Sequence, residues 1–179
     1  MARLTIDGYG QVELNNVAFR RDGRIEAQCA LSTIDFADAP AENGMILRVK
    51  KADHEICFAD ASAANQLYAL LYSTEHMYDE RNPGLKNFKT EATDDFLPRV
   101  GYLAAGDLWT SNCVDLGTYA SAAAVAAALS SGEVFAAVGT QGAPVLAATA
   151  PVSGPVLQVI KKTTMPDGQD AFQFQVLSV

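Results

Sequence analysis

Charged residues are distributed very unevenly along this chain, which limits how its second half can fold and stay soluble. The stretch between Arg99 and Lys161 contains no lysine or arginine, and its charged residues are Asp107, Asp115 and Glu133. A soluble domain normally carries about a quarter of its residues as Asp, Glu, Lys or Arg. Residues 1–95 reach that share with 10 basic and 16 acidic residues, whereas residues 96–179 hold 8 charged residues. The second half therefore has either a large core or a surface that a partner covers, and charge depletion is typical of subunit interfaces.

The composition limits the classes of partner. With 179 residues, of which 49% are hydrophobic, the chain can bury a substantial core as one domain or two small ones. Its net charge of −8 opposes nucleic-acid binding, which requires a basic stripe. The nearest candidate for such a stripe is Arg20, Arg21 and Arg24, which we interpret as the solvated end of a hairpin. We therefore expect no direct contact with nucleic acid.

The cysteines and the N-terminal sequence indicate a cellular compartment. Cys29, Cys57 and Cys113 are too scattered for a disulfide framework, and an odd number would leave one thiol over. We predict reduced, buried thiols. The N-terminal residues lack the apolar segment of a signal peptide, and no run approaches the roughly 18 apolar residues of a membrane span. These features predict synthesis in the cytoplasm and no membrane partner.

The first half has the pattern of a meander of short strands. Residues 25–31 alternate between core and solvent positions, which predicts a strand. Because an Asp-Gly pair tolerates the positive φ of tight hairpins, Asp22 and Gly23 predict a hairpin between this strand and residues 17–19. Further strands are predicted at residues 45–49 and 55–58, which form a second hairpin. Residues 67–73 fit either a strand or one face of a helix, and we favour a strand after a short helical turn.

The second half combines one helix with more strands. Alanine-rich residues 121–129 predict a short helix, with Ser121 as its N-terminal cap and Gly132 suited to its end. Strands are predicted at residues 134–138, 144–149, 156–161 and 171–177, with a turn at 166–168 between the last two. The expected fold is mainly β, a β-rich α+β protein whose short strands form a barrel or a sandwich with one alanine-rich helix.

The change in charge density near residue 95 is the best candidate for a domain boundary. It separates a charged, β-rich part at residues 1–95, which ends in a long loop at 74–98, from a charge-poor, β-rich part at 96–179. One continuous domain is the alternative.

Few residues suggest catalysis or metal binding. His76 lies close in sequence to the acidic residues Glu75, Asp79 and Glu80. This cluster, however, has none of the residue spacings of known binding sites for divalent metal ions. His54 and Cys57 supply only two of the four ligands that a structural zinc site needs. We therefore predict no catalytic residue, no cofactor and no metal. A small hydrolase built on the His76 cluster is the alternative from a different class.

Several segments resemble small structural proteins of tailed bacteriophages. The resemblance is carried by TEHMYDERNPGLKNF at residues 74–88, GYGQVEL at 8–14, VGY at 100–102, GDL at 106–108 and GPVLQV at 154–159. These segments touch both halves of the chain. They amount to general similarity and contain no single diagnostic motif.

The resemblance implies a non-enzymatic virion protein, made in the host cytoplasm, that decorates and cements the outer surface of a phage head. Such a protein would be a homo-oligomer, for example a trimer, in contact with the major capsid protein. The residues expected to contact partners are Tyr78, Arg81, Leu85, Phe88 and Trp109. The alternatives are a tail-tube or head–tail joining protein and, from other classes, the hydrolase or a soluble binding module.

Overall fold

The structure is a computed structural model that describes residues 8–62, 66–74, 76–77 and 86–179. Its first half contains, in chain order, β1 (Val12–Asn16), α1 (Ala18–Asp22), β2 (Ile25–Glu26), β3 (Ala30–Leu31), β4 (Ala41–Glu42), β5 (Ile46–Lys50), β6 (Glu55–Phe58), β7 (Ala69–Ser73), β8 (His76–Met77), β9 (Lys86–Asn87) and β10 (Lys89–Thr90). Its second half contains β11 (Arg99–Tyr102), β12 (Leu108–Ser111), α2 (Ala122–Ser131), β13 (Val134–Val138), β14 (Pro144–Ala147), β15 (Val156–Thr164) and β16 (Asp170–Ser178). The expectation of a mainly β fold is confirmed.

Most of the strands belong to two six-stranded sheets. Sheet 1 has the spatial order β1, β12, β16, β15, β13, β14, and sheet 2 has the order β2, β11, β7, β5, β6, β3. All pairs in these sheets are antiparallel except β3 with β6. Within the described ranges, neither sheet closes into a barrel. Because β1 joins sheet 1 and β11 joins sheet 2, the predicted division near residue 95 does not coincide with the division between the sheets.

The larger core lies between the two sheets. Alternation along β16 directs Phe172, Phe174 and Val176 into this core, where sheet 2 contributes Ile46 and Leu70. Helix α2 packs onto the same core through its buried Val125. A backbone hydrogen bond of 2.8 Å from the Ile46 N–H to the Gly142 carbonyl also links the sheets. The inner face of sheet 1 is therefore fully used in packing.

A second core lies on the opposite face of sheet 2. Leu47, Ala69 and Leu71 point to this side, and the connection between β3 and β5 covers them with Phe36 and Met45. Sheet 2 is thus buried on both faces. This explains why its central strands contain consecutive buried residues instead of an alternating pattern.

The predicted hairpin around Asp22 is wrong. Residues 18–22 form helix α1, and Gly23 ends it in the left-handed conformation at φ 69°. The predicted strand at 25–31 is limited to the two-residue strands β2 and β3, separated by Gln28 at φ 63°. An Asp-Gly pair suits a helix end as well as a hairpin, and the packing of Phe19 decides between them.

Phe19 fixes α1 against sheet 2. Its ring lies so close to Gly101 that a Cβ on that glycine would be 2.2 Å from a ring carbon. The ring also stacks on Tyr72, with centroids 5.4 Å apart. Only a strand position without a side chain allows this approach, so Gly101 is required by packing and not by its backbone angles.

Several local predictions are confirmed. Strands β5 and β6 form the second predicted hairpin, and β7 occupies the predicted strand at 67–73. Ser121 caps α2 by accepting a 3.2 Å hydrogen bond from the Ala124 N–H. Strands β13 to β16 lie where they were expected, and the turn at 166–168 is closed by a 2.9 Å bond from the Gly168 N–H to the Met165 carbonyl.

Asp107 holds the start of α1 to sheet 1. Its buried carboxylate accepts hydrogen bonds from the backbone N–H groups of Ala18, at 2.6 Å, and Ala104, at 2.8 Å. Its own backbone carbonyl accepts a bond from the N–H of Val176 at 2.9 Å. One of the few charged residues of the second half is therefore architectural.

Candidate interaction surface

The outer face of sheet 1 is the most distinctive surface of the molecule. It faces away from the large core and carries the side chains that alternate with the core residues. The strand register places five of them in one row across five adjacent strands. In order, these residues are Leu108, Gln175, Gln158, Phe135 and Ala147. We call these five residues the neutral face.

All five residues of the row are partly buried although no other element of the described chain packs on them as a core. They are shielded mainly by one another, as expected for cross-strand neighbours about 5 Å apart. None of them is charged. The row therefore forms a broad strip of amide and hydrocarbon surface.

Polar residues at the two sides of the row are held by hydrogen bonds. On one side, the Asn15 side-chain oxygen accepts bonds from the Thr110 hydroxyl at 2.8 Å and from the Gln173 amide at 3.3 Å. On the other side, the Gln158 amide donates to a Glu133 carboxylate oxygen at 3.0 Å. These contacts fix the side chains in position. A surface ordered in this way loses less conformational entropy when a partner binds.

Exposed aliphatic residues extend the neutral face. Leu177 is 45% exposed and follows Gln175 by two positions on the same strand face. Ile160 is 42% exposed and lies at the bulge between Val159 and Lys161. Residues of the charge-poor segment thus lie in two places. One set fills the core, and the other forms the neutral face.

Of the residues predicted to contact partners, Trp109 lies in the core. It is 0% exposed and stacks on Phe174, with ring centroids 5.6 Å apart. Its position in β12 points inward because the strand pairs it with Phe174 on the core face. Trp109 is therefore a core residue here, and the prediction that it touches a partner is corrected.

The remaining predicted contact residues belong to the segment between β7 and β10. Phe88 is partly buried, and its ring stacks on Tyr9 with centroids 4.1 Å apart. Tyr78, Arg81 and Leu85 lie outside the described residues, so their contacts stay predictions.

A buried hydrogen-bond network holds both ends of this segment. The Asn43 side-chain oxygen accepts from the Thr74 N–H at 2.9 Å, and the Thr74 hydroxyl donates to the Phe88 carbonyl at 3.0 Å. The Thr90 hydroxyl donates to the Thr74 carbonyl, also at 3.0 Å. Thr74 and Thr90 are both fully buried. Thr74 and Thr90, which lie at the two ends of the predicted contact segment, are therefore held in place by buried hydrogen bonds. We call these two residues the fixed base.

The thiols are free, as expected, and their environments disfavour nucleophilic chemistry. Burial raises the pKa of the Cys29 and Cys57 thiols. For Cys113, burial and, second, the charge of Glu42 raise the pKa to about 12. A thiol reacts as its thiolate, so a raised pKa disfavours nucleophilic chemistry at these three positions.

Other candidate chemistry is sparse in the described part of the chain. No group of three or more His, Cys, Asp or Glu residues there could hold a metal ion. His54 is an exposed turn residue at φ 55°, as interpreted from the sequence. The side chain of His76 and residues Glu75, Asp79 and Glu80 lie outside the described set, so the hydrolase alternative stays a hypothesis.

Two open clefts complete the surface. One, of about 440 Å³, lies between the loops that carry Phe36 and Glu91. The other, of about 500 Å³, lies beside Arg48, Phe58 and Thr140, where the ends of the two sheets meet. In the second cleft the Ser62 hydroxyl donates a 2.6 Å hydrogen bond to the Asp60 carboxylate, and no histidine lines either cleft.

The neutral face could have been found from the sequence. In residues 171–177 the positions that alternate with Phe172, Phe174 and Val176 hold glutamines where a solvent face usually carries Lys or Glu. The presence of neutral residues at these outward-facing positions can be read from the sequence. The register that aligns Gln175 with Gln158 and Phe135 was not.

Comparison of the chain with protein-family models, with curated proteins and with solved structures finds no match in any of the three. Within the part of the chain that the structure describes, no helix is both long and apolar enough to cross a membrane.

Proposed function

We propose that the protein is a non-enzymatic virion protein that decorates and cements the outer surface of a phage head. The observation that carries this proposal is the neutral face, an ordered, uncharged strip across sheet 1. The resemblance of residues 74–88 and other segments to structural proteins of tailed phages supplies the setting. The partners are further copies of the chain and the major capsid protein.

The chemistry of the neutral face suits contact with protein. Burying apolar surface gains about 25 cal/mol per Å², whereas burying an unpaired charge costs several kcal/mol. Leu108, Phe135 and Leu177 supply apolar surface, and Gln158 and Gln175 supply amides that can bond to a partner's backbone. A face built this way can associate without matching any particular charge.

Symmetry multiplies such a contact. A shell presents many equivalent sites, and a modest contact repeated at each of them adds up to a large stabilisation of the whole particle. The cementing mechanism thus requires area and geometry and no strong individual site. The fixed base formed by Thr74 and Thr90 supports this role, because it presents the predicted contact segment from a rigid body.

The test combines light scattering with sedimentation. Multi-angle light scattering of the purified chain over a concentration series gives its oligomeric state, and co-sedimentation with isolated phage heads gives binding. The informative variant is F135K/Q175K, which places two charges in the centre of the neutral face. The matched control is Ile34→Lys, because Ile34 is 86% exposed on a loop outside this face.

We expect a defined oligomer, or stoichiometric co-sedimentation with heads, for the wild type and for Ile34→Lys. F135K/Q175K should weaken the same association at least about a hundredfold, because its charges would be buried without partners. A monomer that ignores heads would overturn the proposal, as would a double variant that behaves like the wild type. A ring or tube formed by the chain alone would favour the tail-tube alternative.

A further inference from the structure

The basic residues of this acidic protein differ in whether they have carboxylate partners. Four of the described lysines form ion pairs, namely Lys50 with Asp53, Lys51 with Glu26, Lys89 with Glu42 and Lys162 with Asp170. By contrast, Arg20, Arg21 and Arg99 are exposed and form no ion pair with any residue in the described ranges. With 21 acidic and 13 basic residues in the chain, carboxylates are plentiful. These three arginines therefore keep an uncompensated positive charge at the surface.

These three arginines lie around one structural unit. Arg20 and Arg21 are in α1, which Phe19 anchors to Gly101 and Tyr72. Arg99 begins β11, two residues before Gly101, and pairs with Ser73 next to Tyr72. Burial raises the pKa of Tyr72, whereas the charges of Arg99 and, second, Arg20 lower it. We call Arg20, Arg21 and Arg99 the arginine patch.

Arg24 adds to the positive potential at the edge of the patch. It lies just after α1, and its Nε is 3.7 Å from a carboxylate oxygen of Asp22. Its Nε–H is nevertheless buried without a hydrogen-bond acceptor among the residues that the structure describes. The carboxylate of Asp22 therefore leaves the patch only partly neutralised. No ion pair connects Arg99 to Asp95, the acidic residue nearest to it in the sequence.

We propose that the arginine patch is a docking site for a carboxylate-rich segment of a protein partner. Three exposed guanidinium groups, two on α1 and one on the strand against which α1 packs, offer paired donors that match carboxylates. The rest of the surface, with its net negative charge, repels an acidic partner and so directs it to this one place. The extended phosphate backbone of nucleic acid needs a longer basic stripe than these three residues supply. The inference is independent of the proposed virion role and uses a surface separate from the neutral face.

The test measures binding of a fluorescein-labelled oligoglutamate peptide by anisotropy in a salt series. An oligodeoxythymidine of equal charge is the second probe. The informative pair of variants is Arg99→Glu and Lys161→Glu, because both replace an exposed, unpaired cation on a strand and change the charge equally. The R20K/R21K/R99K variant keeps the charge and removes the planar donors. Circular dichroism checks that each variant folds, and Arg99→Gln with Lys161→Gln replaces the first pair if one does not.

We expect the wild type to bind oligoglutamate at low salt and to release it as salt screens the charges. Arg99→Glu should weaken binding about three- to tenfold, R20E/R99E should abolish it, and Lys161→Glu should change it less than about twofold. The lysine variant should bind more weakly than the wild type. Three results would overturn the proposal: no peptide binding by the wild type, equal loss in Arg99→Glu and Lys161→Glu, or tighter binding of the oligonucleotide than of the peptide.

Discussion

The two six-stranded sheets differ in what covers their faces. Sheet 2 is buried on both sides, by the large core and by the second core that the chain's own connections complete around Phe36 and Met45. Sheet 1 is buried on one side only, and its other side is the neutral face. The more highly charged half of the sequence thus contributes most of the fully enclosed sheet, and the charge-poor half contributes most of the sheet with a bare face.

The difference between the sheets shows how charge depletion should be interpreted. Sheet 2 needs apolar residues at consecutive positions, such as Ile46 and Leu47, and the chain supplies charges in the connections around them. In sheet 1 the β16 residues Phe172, Phe174 and Val176 are core residues. The residues that alternate with them, Gln173, Gln175 and Leu177, are uncharged although they face outward. Core formation accounts for the first set alone. The second set calls for a separate explanation, which is the association proposed above.

The largest expected effect separates the two faces of sheet 1. Phe174→Ala removes a fully buried ring that stacks on Trp109, and we expect it to lower the free energy of unfolding by about 3–5 kcal/mol. Phe135→Ala, on the neutral face of the same sheet, should cost less than about 1 kcal/mol in the isolated chain. Urea unfolding of the two variants measures both values. Equal costs would mean that the neutral face is as enclosed as the core.

A smaller effect tests how sheet 2 is covered at its α1 side. Gly101→Ala would place a methyl group 2.2 Å from the Phe19 ring, so α1 must shift, at a cost of about 1–3 kcal/mol. Gly132→Ala is the control, because its backbone is extended and no atom lies within 4 Å of the added carbon. Thermal unfolding should show a lowered Tm for the first variant alone. A normal Tm for Gly101→Ala would contradict the close packing of Phe19.

The last effect is absent at neutral pH and concerns the second core, against which Cys113 packs. Its pKa is raised from the ordinary value of 9.0 to about 12, so the folded chain keeps a proton that the unfolded chain loses above pH 9. The thiol's contribution to stability is therefore complete below pH 9 and declines as pH rises toward 12, by at most about 1.4 kcal/mol per pH unit. Urea unfolding at several pH values should give a shallower decline for Cys113→Ala than for the wild type. If the free energy of unfolding declines equally with pH in both proteins, the Cys113 thiol is exposed to water in the folded chain.

Local signals in the sequence were sufficient for much of this fold. Helix α2 follows from alanine propensity and the Ser121 cap, and β16 follows from strict alternation, because both patterns depend on neighbouring residues only. Helix α1 could not be predicted in the same way. Its five residues are decided by contact between Phe19 and Gly101, which lie far apart in the chain.

The candidate surface was predictable in kind but not in place. The absence of lysine and arginine between Arg99 and Lys161 indicated a contact surface, yet only the strand register shows that Phe135, Gln158 and Gln175 share one row. Trp109 was misplaced for the same reason, since its pairing with Phe174 determines the face on which it lies. The arginine patch depends on an even longer-range contact, because Arg20 and Arg99 are brought together by α1 packing on β11.

The position of β16 has a consequence for the order in which the protein can be made. This strand, at residues 170–178, lies between β12 and β15 in the middle of sheet 1, although it is synthesised after every other strand. While the ribosome is still translating those residues, Trp109 and Leu157 belong to strands that lack their central partner. Sheet 1 can therefore close only after residues 170–178 have been synthesised, and a nascent chain stalled before residue 170 would expose core surface that chaperones bind.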